Sequence, residues 1–145
     1  RYMNVYGSRQ DYKGTYIAVM MKILDNLDEG KPPIVYGDGS QAYDFIYVAD
    51  AARANVCALK SGISFGFYNV GRGIKTTIKE LTELILNITG SDLAIKYEAA
   101  GETFVTNRVG DPVAAERDLG FTWSVDLESG LRRLIEWRKS HQKQA

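Results

Sequence analysis

The chain has 145 residues, 45% of them hydrophobic and 25% charged, with 18 Lys plus Arg balanced by 18 Asp plus Glu. A chain this apolar is globular rather than disordered, and its length suits one compact domain or a large piece of a bigger one. Zero formal charge argues against nucleic acid as the main partner, because neutralising phosphates takes a basic surplus. One Cys and one His exclude an internal disulfide and an ordinary zinc cage, so no metal is expected.

Arg1 opens the chain in place of an initiator Met, inside a strand-like run, so the sequence reads as a fragment. Tyr2 to Tyr6 is short, aromatic and β-leaning, and Gly7 to Gly14 is polar loop. From Tyr16, the residues Ile17, Met20, Met21, Leu24 and Leu27 recur at helical spacing, and Gly30 with Pro32 and Pro33 stops the helix. Ile34 to Tyr36 is a strand, Gly37-Asp38-Gly39-Ser40 a turn, and Asp44 to Val48 a strand. Ala49 to Leu59 is Ala-rich and helical, and Phe65 to Val70 is a further strand. Thr77 with Glu80 three residues later predicts a capping box, each side chain satisfying an exposed backbone amide. Ile78, Leu81, Leu84, Ile85 and Ile88 form the apolar face of the helix it opens. Leu93 to Tyr97 and Thr103 to Val105 are candidate strands, and Pro112 to Leu119 is a short helix. Asp126 caps a last amphipathic helix carrying Leu127, Leu131, Leu134, Ile135 and Arg138, with a tail expected to fray after Trp137. Alternating strands and helices predict an α/β fold. No apolar run approaches the ~20 residues of a membrane span and no signal peptide precedes the fold, so the cytoplasm is the expected compartment.

Gly37-Asp38-Gly39-Ser40-Gln41-Ala42 has the spacing of a dinucleotide-binding loop. That loop works by leading straight into a helix whose amides meet the pyrophosphate, whereas here a strand-like run from Tyr43 to Val48 comes next, and the match is rejected. Gly71-Arg72-Gly73 is a turn. None of the nine tyrosines has a Lys four residues on, so the Tyr–Lys pair that would serve acid–base chemistry is absent. His141 belongs to the polar tail, Cys57 to an apolar helix, and Asn87-Ile88-Thr89 is a sequon inside a predicted helix. Asp25, Asp28 and Glu29 make a solvated helix end. Left over are polar residues at strand and loop ends: Asn4, Tyr6, Arg9, Tyr36, Tyr43 and Arg108. Each admits a plain reading as a turn or packing residue beside a ligand-binding one.

Several motifs, however, occur together in a familiar order. Arg1-Tyr2-Met3-Asn4-Val5-Tyr6-Gly7, Pro33-Ile34-Val35-Tyr36-Gly37-Asp38-Gly39-Ser40-Gln41 and Asp44-Phe45-Ile46-Tyr47-Val48 resemble the NAD-dependent nucleotide-sugar epimerase/dehydratase family. These are the extended short-chain dehydrogenases/reductases, which include isomerases of the UDP-glucose 4-epimerase kind. Phe67-Tyr68-Asn69-Val70-Gly71, Asp118-Leu119-Gly120-Phe121 and Leu131-Arg132-Arg133-Leu134-Ile135-Glu136-Trp137 continue the resemblance over nearly the whole chain.

The resemblance implies that residues 1–145 are the C-terminal substrate-binding lobe of a doubly wound, Rossmann-type enzyme. Residues 1–14 and 64–72 would contribute two strands at the edge of the parental parallel sheet, and the N-terminal half that binds NAD and carries the catalytic Tyr and Lys would be absent. It further implies a nucleotide-diphosphate sugar as ligand, a cytoplasmic homodimer as the intact enzyme, a role in polysaccharide biosynthesis, and no nucleic-acid or membrane partner. Asn4 would contact the sugar nucleotide near its phosphates, Val35 and Tyr36 would line the base pocket, Gly37 would let the chain pass close to it, and Tyr43 would occupy a phosphate-binding position.

Two departures accompany the match. The family has Arg where Tyr43 stands, and a second Arg is missing near Ala99 and Ala100; Arg9 or Arg108 are the candidates to replace them, because a guanidinium suits phosphate better than a phenol does. Tyr12-Lys13-Gly14-Thr15 resembles a loop of ADP-sugar heptose-type epimerases, an alternative assignment beside that of a non-catalytic binding or interaction module. Unpaired sheet edges would make the fragment self-associate or leave Arg1 to Gly14 partly disordered. With no dinucleotide loop of its own, the 145-residue chain is expected to be catalytically silent and to bind NAD weakly or not at all, and stoichiometric NAD binding in calorimetry would refute this.

Overall fold

The computed structural model describes residues 1–10, 18–100 and 106–142. The chain divides into two units, one built from Arg1–Arg9, Tyr43–Lys75 and Arg108–Ala145, the other from Gln10–Ala42 and Thr76–Asn107. Both contain strands and helices, as the α/β reading expects.

In the first unit β1 (Asn4–Tyr6) runs parallel to β4 (Phe45–Tyr47), with Asn4 opposite Phe45 and Tyr6 opposite Tyr47. On the other side of β1, Met3 N–H donates to Val70 O and Val70 N–H donates to Arg1 O, a single parallel bridge. The strand expected over Phe65 to Val70 is therefore reduced to its last residue. Aromatic residues favour strands only where a partner edge and a face to bury exist. Phe65 and Phe67 have neither, being 79% and 75% exposed and packed edge-to-face on each other at 5.3 Å.

Helix α2 (Val48–Lys60) begins one residue after β4 ends, so the expected Asp44–Val48 strand is shortened at its end by the helix. Ile46, Ala54, Val70, Ala115 and Phe121 form the core under α2 and α4 (Val113–Leu119), with Cys57 half-buried at its margin as a small apolar group. Asp50, in the first turn of α2, is 1% exposed. Its carboxylate accepts the Ser124 and Val125 N–H groups at 3.0 and 2.9 Å, the Ser124 hydroxyl at 2.7 Å and Arg53 Nη2 at 2.8 Å. Arg53 also donates to Thr122 O, and its guanidinium lies 5.2 Å from the Phe121 ring centre. This clamp seats the segment that leads into α5 (Leu127–Gln142). Asp126 caps α5 by accepting the Ser129 N–H at 2.8 Å. The helix continues past Trp137 as far as Gln142: Leu131, Leu134, Ile135 and Arg138 share its buried side, and Trp137 stacks on His141 at 4.8 Å.

In the second unit α1 (Val19–Asp28) packs on α3 (Ile78–Thr89), burying Met20, Met21, Ile23 and Leu24 together with Ile78, Leu81, Thr82 and Ile85. Thr77 and Glu80 form the expected capping box: Glu80 N–H donates to Thr77 Oγ1 at 3.1 Å and Thr77 N–H to Glu80 Oε2 at 2.7 Å. Strand β2 (Ile34–Tyr36) runs parallel to β6 (Lys96–Glu98), register Val35 to Tyr97. The expected Leu93–Tyr97 strand slides forward because β2 offers only three residues to pair with. A small sheet of order β5 (Thr76–Thr77), β3 (Ala42–Tyr43), β7 (Asn107–Arg108) completes the set, and the division between the units falls within β3 and β7. The strand expected at Thr103 to Val105 lies outside the described residues, as does the Tyr12–Thr15 loop.

Thr77→Ala removes the α3 cap and is expected to lower stability by about 1 kcal/mol in urea unfolding. The Asp50 clamp has an acid signature. Burial opposes its charge, but hydrogen bonds from Arg53, Ser124 and Val125 outweigh it and hold the carboxyl below the usual carboxylate range. A carboxyl lowered in the folded state stabilises above its unfolded pKa of about 4, and that contribution is lost as pH falls through the folded value. Asp50→Asn should therefore lower stability by about 3 kcal/mol at neutral pH, with the gap to the unsubstituted protein closing as pH drops below about 4 in thermal melts.

Candidate functional site

The polar residues singled out in the sequence fall in both units. In the second, Val35 is fully buried in β2 with its side chain in the core, while Tyr36 is 54% exposed on the opposite side of the strand. Tyr36 is thus the member of this pair whose ring faces outward. Gly37 comes next at φ 71°, donating its N–H to Glu98 O at 2.8 Å; a side chain there would be strained and would press on Gln41 Nε2 and Ala100 Cβ at 3.2 and 3.3 Å. Asp38 Oδ1 accepts the Ser40 N–H at 2.9 Å, and hydrogen bonds from Ser40 hold this exposed carboxyl below its ordinary range.

The turn is not a dinucleotide loop. Ile78 N–H donates to Gln41 O at 2.9 Å, Lys79 N–H to Gly39 O at 3.1 Å, and Glu80 N–H to Thr77 Oγ1. The first amides of α3 are thereby satisfied by the chain itself, and the element after the glycines is strand β3. This is the outcome expected from the run after Gln41, and these residues do not fit NAD.

In the first unit Asn4, Tyr43 and Arg108 meet around one residue, Asp44, which has no exposed surface. Asp44 N–H donates to Arg108 O at 2.9 Å. Asp44 O accepts the Asn4 N–H at 2.9 Å and Asn4 Nδ2 at 3.3 Å. The carboxylate oxygens accept the Arg72 and Gly73 N–H groups, each at 2.9 Å. Gly71 makes the close approach possible: a Cβ there would run into Asp44 Oδ2 and Met3 Cγ. Tyr43, half-buried, sets its ring 6.2 Å from Phe45, which in turn meets Tyr6 edge-to-face. Tyr6 is buried and its hydroxyl donates to Leu127 O at 3.3 Å; burial pushes the phenol well above its ordinary range, so it serves packing.

Arg108 is exposed on β7, the strand beside β3. Of the two replacement candidates, Arg9 and Arg108, it is the one that the fold places on the strand beside Tyr43. Arg9, also exposed, sits past the end of β1 in the left-handed region at φ 67°, a backbone shape that non-glycine residues adopt at a cost. Ala99 and Ala100 are exposed after β6. Sequence reasoning passed over Asp44 and Asp50, and the signal for Asp44 was present: an acidic residue between Tyr43 and Phe45 is a poor strand former. Among the described residues no group of three or more His, Cys, Asp or Glu could hold a metal ion, and no helix is long and apolar enough to cross a membrane.

Residues 1–71 match the family model described as NAD dependent epimerase/dehydratase. The chain is 37% identical over 145 residues to a putative UDP-glucose 4-epimerase of Methanocaldococcus jannaschii, an alignment covering 99% of this chain and 46% of that protein. The crystal structure of a UDP-glucose 4-epimerase from Thermotoga maritima with UDP-glucose matches with a TM-score of 0.90 at 33% identity, covering 98% of this chain and 45% of the other. A UDP-N-acetylglucosamine 4-epimerase from Methanobrevibacter ruminantium, in complex with UDP-N-acetylmuramic acid, matches with a TM-score of 0.90 at 34% identity, covering 97% and 45%. The chain spans about half the length of the relatives it matches. With the sequence motifs in register from Arg1 to Trp137 and the fold matched along almost the whole chain, the protein belongs to the NAD-dependent epimerase/dehydratase family.

Proposed function

We propose that this chain is the nucleotide-sugar-binding part of an NAD-dependent sugar epimerase or dehydratase. The observation that carries the reading is the match along 98% of the chain to an epimerase structure holding UDP-glucose, at 33% identity. Residues 1–145 act as the C-terminal substrate-binding lobe, with the stretches around β1 and Val70 forming the edge of a larger parallel sheet. NAD belongs to the other half of the enzyme, since the loop here with a suitable glycine spacing leads into strand β3 instead of a helix, and its Gly37, Ser40 and Ala42 amides donate to Glu98 O, Asp38 Oδ1 and Thr106 O. A cytoplasmic homodimer acting in polysaccharide biosynthesis is the setting this reading implies.

Within the first unit, Asn4 and Arg108 bind the diphosphate beside Tyr43. Asn4 uses one amide hydrogen on Asp44 O, and its second N–H and its Oδ1, which have no partner among the described residues, serve a phosphate oxygen and a sugar hydroxyl. Arg108 supplies the positive charge that a phenol at position 43 lacks, as a forked donor on the adjacent strand. Arg9, exposed in the same unit, is the second candidate for the diphosphate. Within the second unit, the outward ring of Tyr36 and the close-approach backbone at Gly37 suit a nucleobase, with Val35 holding the strand from beneath.

Titrating UDP-glucose into the 145-residue chain should give saturable binding in calorimetry. Arg108→Ala is expected to weaken it by roughly tenfold or more, the loss of a charge-assisted hydrogen bond. Unchanged affinity in Arg108→Ala would remove Arg108 from the site, and no binding by the unsubstituted chain would remove the reading.

A further inference from the structure

Asp44 uses every polar group it has to join three separate segments. Its N–H goes to Arg108 O, its carbonyl oxygen takes both the main-chain and the side-chain amide of Asn4, and its two carboxylate oxygens take Arg72 N–H and Gly73 N–H. Since it has no exposed surface, it cannot itself touch a ligand arriving from solvent. What it can do is fix the relative positions of residues that do.

We propose that Asp44 is a positioning residue for diphosphate binding, holding Asn4 and Arg108 in one rigid arrangement. The inference deepens the reading above and rests on it. A carboxylate is required because two N–H donors converge on it; an Asn in its place would turn an amide N–H of its own against one of them and leave a buried donor unpaired. Movement of the 71–73 turn then passes to the Asp44 backbone, and so to the Asn4 amide and to β7, where Arg108 stands. A misplacement of about 1 Å is enough to lose such a contact. Gly71 supports the same arrangement, since only a residue without a side chain lets the turn reach the carboxylate.

The test compares UDP with uridine, which lacks the diphosphate, as ligands for the 145-residue chain and for Asp44→Asn. The expected result is a loss of about tenfold or more in UDP affinity, with uridine affinity changed by less than about twofold. An equal loss for both ligands, or no loss for UDP, overturns the positioning role while leaving the nucleotide-sugar reading in place. Failure of the unsubstituted chain to bind UDP overturns both, so the two failures are told apart by that arm. Because Asp44→Asn cuts a buried junction and can cost the fold, a second measurement leaves Asp44 intact. Asn4→Ala, Arg108→Ala and the double variant are titrated with UDP, where a shared platform predicts effects that are non-additive by about threefold or more. Additive effects overturn the proposal.

Discussion

The carboxylate of Asp44 has no exposed surface, and a charge can stay buried only if its hydrogen-bonding capacity is filled. Here the filling comes from backbone amides of a turn nearly thirty residues away in sequence, at a separation of 28 and 29 residues. That requirement draws the 71–73 turn onto the strand segment at 43–47, and the same residue's main chain ties β1 on one side and β7 on the other. Remove the charge or its partners and the first unit loses the joint at which Asn4, Tyr43 and Arg108 come together. The placement of the candidate phosphate-binding residues is therefore a consequence of satisfying one buried carboxylate.

Asp50 repeats the device a few residues later. It accepts from Ser124 and Val125 across 74 and 75 residues of sequence, together with Arg53 from its own helix. The two acids divide the work: Asp44 orders the ends of strands, and Asp50 seats the segment that feeds α5. Both are short side chains at the two ends of the β4–α2 junction, where backbone from distant parts of the chain converges. Among the described residues of the second unit no charged side chain is buried. The contact between α1 and α3 is apolar apart from Thr82, whose hydroxyl donates to Ile78 O within its own helix, and the other polar arrangement is local, in the Thr77–Glu80 cap and in the hydrogen bonds of the Gly37–Gln41 turn.

The legible features were those set by near neighbours. The helix faces of α3 and α5, that of α1 from Met20 onward (Tyr16 and Ile17 lie outside the described residues), the capping box at Thr77, the Asp126 cap and the turn at Gly37 depend on spacings of two to four residues, and they stand in the structure. The rejection of Gly37–Ala42 as a cofactor loop came from the same range, because the strand-like residues after Gln41 were there to be seen. Tyr36 and Arg108 were legible as polar residues at strand ends, but not that Val35 would turn inward while Tyr36 turned out, nor that Arg108 would lie on the strand beside Tyr43. The Phe65–Val70 stretch shows the limit from the other side: its aromatic content favours a strand, yet only Val70 finds an edge to pair with.

By itself the sequence determined the mix of strands and helices, the caps at Thr77 and Asp126, and a run of motifs in an order that marks the family, since all of these depend on short spacings. The tertiary structure alone decided which acids are buried, which strand residues find partners, and which polar side chains share a neighbourhood. Those outcomes depend on groups brought together from far along the chain: a carboxylate can stay ionised in the interior, and a strand can exist as a strand, only when the fold delivers the donors and the edge that complete it.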